Sequence, residues 1–149
     1  MWNDLGEYIA NLCEYNDKEN IDYSKNHNNG FSDYSFPCKV VEIAIGKFFS
    51  VADYLKNNSN IVDFIATDIN PDNSNIVFDD ITNPNMNIYK DADIIYSIRP
   101  PQELQPYIAD IVAKTDAILI IKPLFNEDLN LNLAMKLVNY KKAVFYQSI

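Results

Sequence analysis

Two apolar runs constrain the fold of this chain most tightly. Val40-Val41-Glu42-Ile43-Ala44-Ile45 ends at Gly46, one of only three glycines. Ile61-Val62-Asp63-Phe64-Ile65-Ala66-Thr67 ends at Asp68, 22 positions after that glycine. Short apolar runs rich in β-branched side chains read as buried strands. A strand, a glycine turn, a short helix and a second strand ending in an acid form the layout of a nucleotide-binding α/β half. Glycine lets a ligand approach the backbone, and a carboxylate accepts hydrogen bonds from ribose hydroxyls.

The alternation continues down the chain. Ser50-Val51-Ala52-Asp53 has the form of a capping box, with a short helix after it. Ile76-Val77-Phe78, Asp93 to Ile98 and Ala117 to Ile121 read as further strands, and Lys142 to Tyr146 as a last one. Pro84 to Tyr89 suggests one or two helical turns. Leu104, Tyr107, Ile108, Ile111 and Val112 form a helical stripe, with Pro106 expected to restart or kink it. Leu129 to Val138 is expected to be a helix. The pattern predicts a three-layer, Rossmann-like α/β protein with an open, mostly parallel sheet in an order near 3-2-1-4-5-6. Only Ile69 to Asn75 joins strands two and three, which leaves the direction of strand three open.

Length bounds the rest. At 149 residues the chain reads as one domain, residues 1–149. Residues 1–37 would be an N-terminal helix, over roughly 3 to 15, followed by a polar connection. Residues 38–149 would be the α/β core. A net charge of −9 argues against general nucleic-acid binding, which needs clustered Lys or Arg, and leaves a small-molecule ligand as the expected partner. Cys13, Cys38 and the single His27 cannot make a zinc site alone, and free thiols would suit a reducing cytoplasm. No apolar stretch reaches the roughly 18 residues of a membrane span, and Met1-Trp2-Asn3-Asp4 lacks the pattern of a secretion leader.

Ligands of open α/β sheets bind beyond the carboxyl ends of the strands. That edge collects Ala44, Gly46, Asp68, Asp79 and Asp80 as candidate cofactor-binding residues. Ser97, Arg99 and Lys122 are candidates for an anionic substrate. A G-x-G-x-x-G turn would need glycine at 44, 46 and 49, and the chain has Ala44, Gly46 and Phe49. Phe48-Phe49 crowd the approach of a pyrophosphate. Asp68 suits the ribose, with capping before Asn70-Pro71 as the structural alternative. Asp79 or Asp80 suits an adenine amino group, or else an Asx turn before Thr82. Arg99 is the only arginine, and the fork of a guanidinium grips an oxyanion as lysine cannot. An internal salt bridge to Glu42 or Glu103 would explain it equally well. Arg99, Lys122 and Lys47 would make three cations on one rim. No general base is evident.

The acids and the glycine turn resemble the S-adenosylmethionine-dependent methyltransferase core, and the likeness adds Glu42, the acid of strand one, to the candidate cofactor-binding residues. More specifically, Val41 to Gly46, Ala66-Thr67-Asp68-Ile69, Asp80-Ile81-Thr82, Asp93-Ile94-Ile95-Tyr96-Ser97-Ile98-Arg99-Pro100-Pro101 and Glu103-Leu104-Gln105-Pro106 look like a short archaeal family of uncharacterised proteins, of the UPF 0146 type. That resemblance implies a methyltransferase-like Rossmann core and an S-adenosylmethionine cofactor. Arg99-Pro100-Pro101-Gln102 stands where amino-methylating enzymes carry Asn/Asp-Pro-Pro-aromatic. The final antiparallel strand of complete methyltransferases is not evident either. The leading expectation is adenosyl-ligand binding, which leaves methyl transfer to an unidentified, anionic acceptor open. The alternative is a non-catalytic ligand sensor or interaction protein. A dinucleotide-dependent oxidoreductase ranks third, for want of glycines.

Overall fold

The computed structural model describes residues 1–24, 37–124 and 128–149. It contains α1 (Trp2–Ser24), β1 (Cys38–Glu42), α2 (Ser50–Asn58), β2 (Val62–Asp68), β3 (Ile76–Phe78), β4 (Ile94–Ile98), α3 (Gln105–Ala113), β5 (Ile118–Lys122), β6 (Met135–Tyr140) and β7 (Ala143–Ser148). The strands form one sheet in the order β3-β2-β1-β4-β5-β7-β6. The first five are parallel; β7 pairs antiparallel with β5 and β6. This is the expected Rossmann-like sheet, with an antiparallel hairpin completing its far edge.

Period-two alternation divides the core. Val40, Ile94, Tyr96, Ile98 and Ile120 face one side, where they meet Leu5, Ile9 and Cys13 of α1 and Val51 and Leu55 of α2. Val41, Ile43, Ile95, Leu119 and Ile121 face the other, against Ile108, Ile111 and Val112 of α3. β4 lies mid-sheet and is buried at every residue. Strands covered on both faces lose the polar alternation, which is why β4 and β5 read as continuous apolar runs.

α1 and α2 pack closely at Gly6, where an added Cβ would lie 2.5 Å from Cδ1 of Tyr54. Gly6→Ala should therefore cost about 1–3 kcal/mol in urea denaturation, because the ring must move or the helices separate. An unchanged midpoint would contradict this packing. The other side of α1 reaches the β6–β7 hairpin. Glu7 receives a hydrogen bond from Lys141 Nζ at 2.9 Å and one from Tyr140 Oη at 3.1 Å. The Lys142 amide donates to Asp4 at 3.1 Å.

Several expectations need correction. Residues 129–138 are not a helix: β6 starts at Met135, and residues 128–134 have no regular structure. Leu129, Leu131, Leu133, Met135 and Leu137 alternate with a period of two, the strand period. The final antiparallel strand is present. α1 continues to Ser24, beyond the expected end near residue 15; the polar segment 25–36 lies outside the described residues. Cys13 and Cys38 are not free but form a disulfide, Cα to Cα 5.5 Å, so the argument from free thiols to a reducing compartment falls away. Ser50 is not an N-cap: Phe49 holds that position without a side-chain cap.

The short link before β3 is explained by two local turns. The Asn70 amide donates to Asp68 Oδ1 at 2.8 Å, and the Asn75 amide to Asn73 Oδ1 at 2.9 Å. β3 then needs only three parallel pairs with β2. Pro106 restarts the helical stripe as expected. A 3-10 turn over Gln102–Leu104 gives way to α3, with Pro106 in its first turn, where no backbone N–H is required.

Candidate functional site

The carboxyl ends of β1, β2 and β3 open into a cleft of about 440 Å³, counting its solvent-open mouth. Ala44, Thr67, Asp68, Ile69, Asp79, Asp80, Ile81, Thr82 and Leu104 line it. Four of the six residues expected to bind a cofactor thus share one wall system. A fifth is joined to it directly: the Gly46 amide donates to Asp68 Oδ2 at 2.8 Å.

That bond follows from backbone conformation. Ala44 and Gly46 both hold positive φ, at 58° and 59°. Glycine adopts this region freely, whereas Ala44 does so against a steric cost of about 1–2 kcal/mol. The turn places the Gly46 N–H at the end of β2. Asp68 bridges two loops, since its other oxygen accepts from Asn70. A carboxylate has about four lone-pair positions, so two accepted bonds leave capacity for a diol.

The acids after β3 are more committed. Asp79 is buried; its Oδ1 accepts from the Asn85 amide at 2.9 Å and its Oδ2 from Tyr89 Oη at 2.5 Å. It ties the 84–90 turns to the sheet. Burial, together with this carboxylate, pushes the Tyr89 hydroxyl well above its ordinary range. Asp80 Oδ1 closes an Asx turn, accepting from the Thr82 amide at 3.0 Å and hydroxyl at 2.7 Å. Both acids line the cleft while holding its floor in place.

Glu42 is elsewhere. It does not line the cleft; it is 1% exposed, and Tyr96 Oη donates to its Oε1 at 2.6 Å. Burial pushes its carboxyl up to about 8, against the opposing pull of the Tyr96 hydrogen bond and the Lys56 charge. Ser97 is also turned inward, donating to the Ile43 carbonyl at 2.7 Å, and so joins β4 to β1.

The three expected cations do not converge as a set. Lys47 is highly exposed and lies 4.0 Å from Asp72. Arg99 has no carboxylate partner among the described residues, and neither Glu42 nor Glu103 pairs with it. Its guanidinium lies over the Phe48 ring at 4.8 Å and the Trp2 ring at 5.5 Å. Its backbone is left-handed at φ 54°, and its amide donates to the Lys122 carbonyl at 2.6 Å.

Sequence reasoning missed the apolar walls Ile69, Ile81 and Leu104, and Thr67. Ile81 could have been found, since it follows Asp80 and the turn carries it over the strand ends. Leu104 was read only as part of a helical stripe. The missed tyrosines, Tyr89 and Tyr96, carry no local signal; each meets its acid through the fold.

A mostly parallel sheet with an antiparallel terminal hairpin is a Rossmann-like fold of the kind methyltransferases also adopt. An S-adenosyl-L-methionine methyl transferase from Silicibacter pomeroyi superposes with a TM-score of 0.51, covering 76% of this chain and 83% of that one, at 8% identity. At that identity the likeness concerns the fold. The model of the uncharacterised protein family UPF0146 matches residues 26–149, and the chain belongs to that family. A UPF0146 protein from Methanothermobacter thermautotrophicus is 41% identical over the whole of this chain and 96% of its own length. Another, from Methanocaldococcus jannaschii, is 48% identical over 72% of this chain and 81% of its own.

Proposed function

We propose that the cleft binds an adenosyl ligand, S-adenosylmethionine or its demethylated product, and that the protein transfers a methyl group. The observation that carries this reading is the position of Asp68. It lines the cleft, is held by two backbone N–H groups, and retains lone pairs for a ribose diol. Ile81 and Leu104 offer apolar surface for a flat base, and Asp80 an acceptor for an exocyclic amine. When bound, such a ligand supplies an electrophilic methyl group on a sulfonium sulfur. Transfer to a good nucleophile depends mainly on proximity and alignment, so a site without a general base can carry it.

Titration calorimetry with S-adenosylmethionine, S-adenosylhomocysteine and NAD tests the reading. The first two should bind and NAD should not. Asp68→Ala should weaken them at least tenfold, the loss of about 1.4 kcal/mol or more. Asp68→Asn, which keeps an oxygen for the Gly46 amide, separates ligand contact from loop support. Retained affinity in both variants would refute the ribose role.

A second reading is a non-catalytic sensor of the same ligand class. The observation favouring it is Ala44, strained where the turn would take glycine, together with the internal hydrogen bonds of Asp79. Adenosyl binding without methyl transfer to any acceptor tried would favour it.

A further inference from the structure

We propose that Arg99 is an oxyanion dock at the carboxyl edge of the sheet, recognising a carboxylate or phosphate group. Any role toward an adenosyl ligand rests on the reading above; its capacity to bind an oxyanion does not. Three independent observations support it. The guanidinium lies over the faces of Phe48 and Trp2, whose rings meet edge to face at 4.7 Å. A guanidinium drawn to aromatic rings in this way keeps N–H donors for a planar or tetrahedral oxyanion. The residue remains exposed, and no carboxylate among the described residues neutralises it.

The second observation is the backbone. Arg99 is held in the left-handed region at φ 54°, between β4 and Pro100-Pro101, with its amide fastened to the Lys122 carbonyl. Strained positions persist where surrounding structure enforces them, and they cluster at ligand clamps. The third observation is place. Phe48, which carries the guanidinium, lies two residues beyond Gly46, whose amide is bound to Asp68 of the cleft. Ala44 of the same turn lines the cleft itself. Lys122 ends the neighbouring strand and holds the Arg99 amide through its backbone carbonyl.

The oxyanion has two chemical sources. One is the amino-acid carboxylate of the adenosyl ligand; the other is a carboxylate or phosphate on a separate methyl acceptor. Trp2 is the only tryptophan and lies against Arg99, so its fluorescence reports on the dock. Titration with inorganic phosphate, at ionic strength held constant with chloride, should give a saturable change in the native protein. Arg99→Lys should weaken the response at least tenfold by removing the fork, and Arg99→Gln should abolish it. Arg99→Gly removes the cation while relieving the left-handed strain; it should stay folded and also lose the response. No saturable change in the native chain, or an equal one in Arg99→Gly, overturns the proposal.

Calorimetry with S-adenosylhomocysteine and 5′-methylthioadenosine then separates the sources. Tenfold weaker binding of the first alone in Arg99→Gln assigns the dock to the ligand's own carboxylate. Unchanged binding of both, with the phosphate response lost, assigns it to a separate oxyanion-bearing substrate. If neither nucleoside binds the native protein, the adenosyl reading fails, and the phosphate titration still decides the dock.

Discussion

At pH 9 a Glu42→Gln chain should be more stable than the native protein, by about 5 kcal/mol, and the two should converge near pH 5. The Glu42 carboxyl is pushed up to about 8 in the fold from an ordinary 4.5, first by burial. A shift of one unit corresponds to about 1.4 kcal/mol. Below the unfolded value both states hold the proton, and the contribution is fully present. Between 4.5 and 8 the unfolded chain releases the proton while the native chain keeps it, so stability falls as pH rises. Above 8 both states are ionised and the loss is complete. Glutamine keeps an oxygen for the Tyr96 hydroxyl but has no proton to release. Urea denaturation at pH 5, 7 and 9 should show a falling native midpoint and a flatter variant one. Parallel curves would mean that another group sets the slope.

Replacing both half-cystines, as Cys13→Ser with Cys38→Ser, should lower stability by about 3 kcal/mol through the greater freedom of the unfolded chain. The bond spans a sequence separation of 25 and joins α1 to the first residue of β1. For a chain of this size that loss lowers the melting temperature by on the order of 10 °C. Scanning calorimetry with and without dithiothreitol provides the check. The native protein should melt earlier in reductant, whereas the serine variant should be indifferent to it. A reductant-insensitive native chain would contradict the constraint.

The parts of this fold that sequence discloses are those governed by local pattern. The apolar runs of β1, β2, β4 and β5, the restart at Pro106 and the glycine turn are each written in a few adjacent residues. Asp68 was legible for the same reason, since its distance from Gly46 follows from one strand-helix-strand unit. Of the hairpin, β7 was legible as the last strand, whereas β6 fell in the stretch from Leu129 to Val138 that was expected to be a helix, although its apolar residues alternate with a period of two. What depends on distant partners was out of reach. Glu42 looks like a turn acid until Tyr96, 54 residues away, is seen to hold it inside the core. Asp79 looks free until Tyr89 and Asn85 engage both its oxygens. Cys13 and Cys38 each occupy core positions, one on the apolar stripe of a helix and one at the head of a buried strand. Their bonding required knowing that α1 packs over β1. Arg99 stood out by rarity alone, and only the structure supplied the two aromatic rings beneath it.

The Gly46–Asp68 hydrogen bond has a consequence for affinity. On the adenosyl reading proposed above, a ligand entering a floppy rim would have to freeze that rim, and the lost conformational freedom would be subtracted from the contacts made. Here the carboxylate has already fastened the first loop to the second strand before anything arrives. The rim costs little to organise, so even a modest set of contacts can translate into appreciable affinity.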